Sequence, residues 1–347
     1  MYVELHAASA FSFLRAASLP ETLVERAAEL GYPALALIDR DGVYGAPRFH
    51  KAARAAGLRP LIGATLTIDA DPGAANGAKA RAADATDVTD DQIDRTLIRS
   101  PHQITRSPRH EISRFPLSVL VSSQVGWQNL CRLVSRMKLR APKGEGALAL
   151  GELDGHVRGL IALAGAPLLQ VRRFGVGGLL DRLVGIFGRD HVYVELQRHL
   201  RRDQEDDNEM LVTLAEAFRV PVVATGGVRF ATPGERPLFD VLTSIREHVP
   251  LAQAGRRLSV NAECYLKPPA QMARLFADLP HAVTATRALA DRLQFSMQNL
   301  GYRFPRYPVP PGETESSFLR NIADVGARTR YRPYHDRARA QVTRELD

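Results

Sequence analysis

The sequence is short of cysteine and lysine and has no long apolar run, and each shortage excludes something. Two cysteines in 347 residues, Cys131 and Cys264, are too few for a disulfide framework or a cysteine zinc site. A reducing, cytoplasmic setting is the default expectation. No apolar run approaches the ~18 residues that cross a bilayer, so no membrane partner is expected. Only five of the 46 basic residues are lysines, so the net charge of +8 is carried by arginine. Guanidinium pairs bidentately with phosphate oxygens, which fits phosphate or nucleic-acid partners. A GC-rich genome would enrich Arg, Ala, Gly and Pro in the same way, and composition leaves both readings open.

Hydrophobic residues at 45% and charged residues at 24% describe an ordinary globular chain. At ~150 residues per domain, the length suits two domains or one large barrel with an appendage. Strand-like apolar runs recur at Tyr2–His6, Ala34–Asp39, Arg59–Ile68, Leu117–Ser122, Gly159–Ala164, His191–Leu196 and Val220–Thr225. Helical periods follow most of them. Pro20–Leu30 places Leu23, Val24, Ala27 and Leu30 on one face; Trp127, Leu130, Val134 and Met137 recur at spacings of three and four. Glu209–Phe218 is expected to bury Met210, Leu211, Leu214, Ala215 and Phe218. Seven continuous apolar strands alternating with helices predict a parallel α/β sheet covered on both faces, and the count favours a distorted seven-stranded (β/α)7 barrel. The expected organisation is a barrel over 1–69 and 115–235, a polar flexible insertion over 70–114, a mostly helical extension over 236–300, and a Pro-rich connector leading onward over 301–347. A helix is expected to begin near Thr314, and the stretch from Ala285 to Asp347 is basic, with 11 arginines against 7 acids.

In a parallel barrel, chemistry gathers where the strands end. Those positions offer His6, Asp39, Thr65, Glu195, His199, Gly227 and Arg229. Imidazoles and carboxylates converging from separate strands are what a hydrolytic metal site needs. The segments ELHAASAFSFLRAAS, ALALIDRDGVYG, LRPLIGATLTI, RMKLRAPKGEG, VYVELQRH and VPVVATGGVRF, in this order, resemble the PHP (polymerase and histidinol phosphatase) domain. The version they resemble opens bacterial C-family DNA polymerase III alpha subunits, and SFLRAAS and LGYRFPRYPVPPGETESSFLR are nearest the error-prone branch.

The resemblance implies a barrel whose mouth, in metal-competent members, holds about three metal ions. Judged against that pattern, His6, Asp39 and His199 keep ligand identities and Glu195 is a further candidate. The remaining positions are degenerate. Ala8 replaces a His, Arg40 stands where the His of Asp-His belongs, Thr65 replaces a Glu, and Gly227 and Arg229 replace an Asp-x-His pair. No His is found near Leu117 and Ser118, where strand four would supply one. Lost donors and added guanidiniums repel a cation cluster, so no cofactor is expected here beyond residual Zn or Mn, and the two arginines offer an anion site as an alternative. In the family, nucleotidyl transfer uses Mg held by palm carboxylates, which the resemblance places downstream of position 347, so that 301–347 would hold the Pro-rich connector and the start of the palm region.

Other signals are weaker. Gly175-Val176-Gly177-Gly178 before a helix lacks the Lys-Ser/Thr of a phosphate loop and reads as a loop. Arg132, Arg136, Lys138, Arg140 and Lys143 form a basic run that could track a nucleic-acid backbone or be a solvated helix face. The expected function is therefore the N-terminal PHP portion of an error-prone polymerase acting in DNA replication and repair. Its expected partners are the rest of the polymerase in cis or trans, DNA, and other replication or lesion-bypass proteins. The alternatives are a stand-alone metal-dependent phosphoesterase or exonuclease, and a free interaction module from a split gene.

Overall fold

The computed structural model describes residues 2–70, 114–142, 144–171, 174–175, 177–298, 300 and 306–347. The expected insertion falls outside these residues except at its two ends, as do Lys143 and Val176. Two compact units are present, residues 1–298 and 299–347.

The first unit is built around strands β1 (Glu4–Ala7), β2 (Ala34–Arg40), β3 (Arg59–Asp69), β4 (Arg114–Val121), β5 (Leu148–Ala149), β6 (Leu160–Ala164), β7 (Val192–Gln197) and β8 (Val222–Thr225). The sheet runs in the order β1-β2-β3-β4-β6-β7-β8, with the short β5 added to the end of β3. A bridge between Ala7 and Val228 brings its two edges together into a nearly closed seven-stranded barrel. The fold class is as expected, but the sheet is not parallel throughout: β4 runs antiparallel to both β3 and β6. Antiparallel neighbours need no helical crossover, and the sequence between β3 and β4 indeed lacks helical periodicity.

Period two divides the strand residues between two cores. Val3, Leu5, Ala36, Ile38, Leu61, Leu120, Leu163, Tyr193 and Val223 form one cluster with Leu289 and Ala290 of helix α9 (Pro280–Arg292) and its C-cap residue Leu293. Alternate residues such as Leu35, Leu37, Ile62, Val119 and Val194 pack outward against α1 (Pro20–Glu29), α2 (Ala46–Ala55), α3 (Gln124–Leu139), α4 (Gly178–Phe187) and α5 (Arg202–Phe218). Each fully buried Leu or Val side chain contributes ~1.5–3 kcal/mol of transfer free energy. Trp127 stacks on Phe295 at 5.2 Å in this outer core. Met210 corrects the expected stripe on α5: it is 42% exposed, because the buried face is the narrower set Asn208, Leu211, Leu214 and Ala215.

Helices α6 (Arg236–Arg246), α7 (Leu251–Ala254), α8 (Pro269–Leu275) and α9 belong to the same compact unit as the barrel. In the second unit, α10 (Glu315–Arg330) starts where expected, with the Thr314 hydroxyl accepting from the Ser317 amide at 3.1 Å. Helix α11 (Asp336–Leu346) follows.

Candidate functional site

The ends of β1, β2, β6, β7 and β8 open on a cleft of about 210 Å³. His6, Ile38, Arg40, Thr65, Ser118, Glu195, Gln197 and Arg229 line it, joined by Arg15 from the loop after β1. Period two explains the selection: Ile38 and Arg40 reach the cleft, and Asp39 between them does not.

His6 and Glu195 meet in the cleft as an ion pair, Nδ1 to Oε1 at 2.6 Å. Thr225 Oγ1 donates to the same carboxylate oxygen at 2.6 Å and Gln197 Nε2 at 3.2 Å. Burial alone would depress the imidazole, but the Glu195 charge outweighs it and raises the His6 pKa. Burial would raise Glu195, yet His6 and the hydroxyl and amide donors bring it below the ordinary glutamate value. Both shifts favour the charged pair.

Asp39 is held elsewhere, by the loop that follows β1. Its Oδ1 accepts from the Ser9 amide at 2.7 Å and the Ser12 hydroxyl at 2.8 Å, and the Ser9 hydroxyl reaches Oδ2 at 2.9 Å. Burial raises its pKa despite these donors. Gly45 completes the fit, since a Cβ there would stand 2.6 Å from Asp39 Oδ2. His199 is spent as well. Its Nε2 donates to the Gly226 carbonyl at 2.8 Å, and its Nδ1 accepts from Gln204 Nε2 at 2.9 Å. Thus His6 and Glu195 are brought together, while Asp39 and His199 stand apart from them. Among the described residues no group of three His, Cys, Asp or Glu side chains is placed to share a metal ion.

The degenerate positions have their own local reasons. Arg40 donates to Asp41 Oδ2 at 3.2 Å and to Thr67 Oγ1 at 2.8 Å. Thr65 and Ser118, opposite each other on β3 and β4, share a 3.0 Å hydroxyl bond. Gly227 has φ +55°, and a Cβ on it would stand 2.5 Å from Gln197 Oε1. The Ala8 amide donates to the Val228 carbonyl at 2.9 Å, part of the barrel closure. Arg229 lies over the Phe239 ring at 5.8 Å.

Sequence reading passed over Glu4, Ser9, Ser12, Arg15 and Gln204. Glu4 is buried and receives the Tyr2 hydroxyl at 2.6 Å and the amides of Gly226 and His6 at 2.8 Å each. A carboxylate inside an otherwise apolar strand was its available signal. In the basic run, Arg140 forms a 2.6 Å ion pair with Glu152, Arg132 bonds Asn129 at 3.1 Å, and Arg136 stands 3.3 Å from His156. Lys138 is half-buried on the same helix.

The PHP domain matches residues 4–199, more than half of the chain. The chain belongs to the PHP domain family. It is 38% identical over 99% of its length to an error-prone DNA polymerase of Mycolicibacterium paratuberculosis, and 34% identical over 99% to one of Alkalilimnicola ehrlichii. It spans about 30% of the length of these relatives, corresponding to their N-terminal part. Among solved structures, a protein assigned as a metal-dependent phosphoesterase from Bifidobacterium adolescentis matches 65% of this chain and 86% of its own at 15% identity, with a TM-score of 0.38. An amidohydrolase from Chromobacterium violaceum matches 66% and 88% at 14% identity, with a TM-score of 0.37. No described helix is long and apolar enough to cross a membrane.

Proposed function

We propose that this PHP barrel is the N-terminal support of an error-prone DNA polymerase and that its metal site is vestigial. One observation carries the reading: the atoms that would coordinate metal are consumed by the protein's own hydrogen bonds. Both ring nitrogens of His199 and both oxygens of Asp39 have partners. The His6–Glu195 pair leaves only His6 Nε2 and Glu195 Oε2 unspent in this set, two donors where even one catalytic ion takes three protein ligands. A cluster of several ions does not fit this set of side chains.

The barrel's work is then mechanical, bracing the catalytic remainder of the polymerase in cis or trans in a cytoplasmic setting. DNA and other replication or lesion-bypass proteins would meet the assembly there. The magnesium of nucleotidyl transfer belongs to that remainder. Dialysis of the metal-stripped chain against manganese or zinc, followed by elemental analysis, should retain less than one tightly held ion per chain. Phosphatase and exonuclease assays with added manganese should stay at background. A stoichiometric multinuclear site, or metal-dependent turnover lost on His6→Ala, overturns the vestigial reading.

A further inference from the structure

The same cleft carries a charge imbalance that the vestigial metal site leaves unexplained. Arg40 is neutralised by Asp41, whose carboxylate also receives the Thr67 amide at 2.7 Å. Arg15 and Arg229 also line the cleft, and their guanidiniums form no hydrogen bond or ion pair among the described residues; the Asp41 carboxylate, paired with Arg40, attracts Arg15 only through space. Glu195 is committed to His6. The remaining carboxylate of the lining, Asp207, sits on the α5 side with Gln204 and Asn208. Two cations without hydrogen-bonded partners thus share a cleft with two carboxylates in its lining, one of them engaged by His6.

The backbone holds these cations in place. Leu14 lies in the left-handed region at φ +59°, a conformation of order 1–3 kcal/mol above the ordinary one for a residue with a Cβ. Its carbonyl is held by Arg246 Nη1 at 3.1 Å, and the Arg15 amide donates to the Ser12 carbonyl at 2.7 Å. Two residues on, the Ala17 amide donates to the Arg229 carbonyl at 2.8 Å, tying the two arginine-bearing segments together. Arg15 also has its pKa lowered, first by partial burial and then by Arg40 and Arg246, with Asp41 opposing the shift and Arg229 adding to it. The strained turn and the backbone tie thus bring two guanidiniums without hydrogen bonds to the lining of one cleft, an arrangement suited to an anion.

We propose that Arg15 and Arg229 bind a phosphoryl dianion at the barrel mouth without any metal. Two planar guanidinium forks match phosphate oxygens bidentately. The cleft is below the ~300–1,000 Å³ typical of drug-sized ligands, which suits a phosphoryl group. Free phosphate and the terminal phosphate of a DNA strand present the same chemistry, and the inference requires neither metal nor an attached polymerase.

The test titrates the whole chain, in phosphate-free buffer, with inorganic phosphate by calorimetry. Saturable binding is expected, weakened about tenfold or more by Arg15→Gln or Arg229→Gln, only partly restored by lysine at either position, and unchanged by Arg54→Gln on the outer face of α2. Circular dichroism melts establish that the variants are folded. No saturation by millimolar phosphate, or undiminished binding by the double glutamine variant, overturns the proposal. A 5′-phosphorylated oligonucleotide that binds better than its 5′-hydroxyl counterpart through the same two arginines assigns the site to strand ends. Equal binding of the two oligonucleotides, with phosphate still bound, assigns it to free phosphate.

Discussion

Asp39 on β2 is gripped by the loop that follows β1, Arg15 belongs to that loop, and the chain treats the two in opposite ways. The carboxylate is buried and collects two serine hydroxyls and an amide. The Arg15 side chain reaches solvent and forms no hydrogen bond or ion pair among the described residues. A polar group whose every lone pair is satisfied inside the protein stabilises the fold and has little left to offer a ligand. One left unpaired beside a cleft does the reverse. Ligand identity in a sequence is thus a poor guide to ligand availability: Asp39 keeps a family ligand type and is spent, whereas Arg15 matches no ligand position and is free.

The sharpest way to break this comparison is to remove the buried side of it. Asp39→Ala would strand the hydroxyls of Ser9 and Ser12 and the Ser9 amide, and a loss of roughly 3–9 kcal/mol is expected at 1–3 kcal/mol per stranded group. Urea unfolding measures it. A loss below about 1 kcal/mol would mean that the knot is decorative. Asp39→Asn should cost less, because burial already favours the neutral carboxyl.

Next in size is the ion pair. Glu195→Gln leaves His6 facing a neutral amide, at a cost of about 3 kcal/mol by analogy with other broken buried pairs. Its pH dependence gives a second readout. The raised pKa of His6 means that its contribution is complete below the unfolded value of ~6.5 and is lost as pH rises through the folded one. The lowered pKa of Glu195 means that its contribution is present above ~4.5 and is lost as pH falls through the folded value. Stability should therefore decline as pH rises above about 6.5 and through the raised folded-state value of His6, and Glu195→Gln should flatten that decline. An unchanged slope in the variant would dissociate His6 from the pH response.

Gly45→Ala comes third. Its Cβ would meet Asp39 Oδ2 at 2.6 Å, and because that carboxylate is pinned by three donors it cannot swing away. A cost of about 1–3 kcal/mol, typical of overpacking, is expected in the same unfolding measurement. A neutral result would show that the loop carrying Ser9 and Ser12 yields more easily than its hydrogen bonds suggest.

These contrasts also mark how far the sequence could be read. The barrel was legible because runs such as ALALIDR and VYVELQ are apolar on both faces, which only a covered sheet tolerates. The reversed direction of β4 was not, since strand polarity leaves no trace in a continuous apolar run. The pairing of His6 with Glu195 spans 189 positions and follows from closure of the barrel, not from any local spacing. Arg15 was hidden for a different reason. Nothing in SFLRAAS announces that Leu14 will take a left-handed turn, and that turn sets where the next side chain goes.

The smallest expected effect tests the exposed side of the comparison. Arg15 and Arg229 make no ion pair that their removal would break, so Arg15→Gln with Arg229→Gln should leave phosphate-free stability within about 0.5 kcal/mol of the parent chain, the range of ordinary surface changes. Relief of like-charge repulsion acts in the stabilising direction, opposed by the lost stacking of Arg229 on Phe239. The parent chain should also gain more stability on lowering pH from 7 to 6 in phosphate buffer than in chloride only if divalent phosphate is not the preferred form; a preference for the dianion predicts the opposite ordering. A double variant destabilised by 2 kcal/mol or more without phosphate would place these arginines among the structural residues and erase the distinction from Asp39.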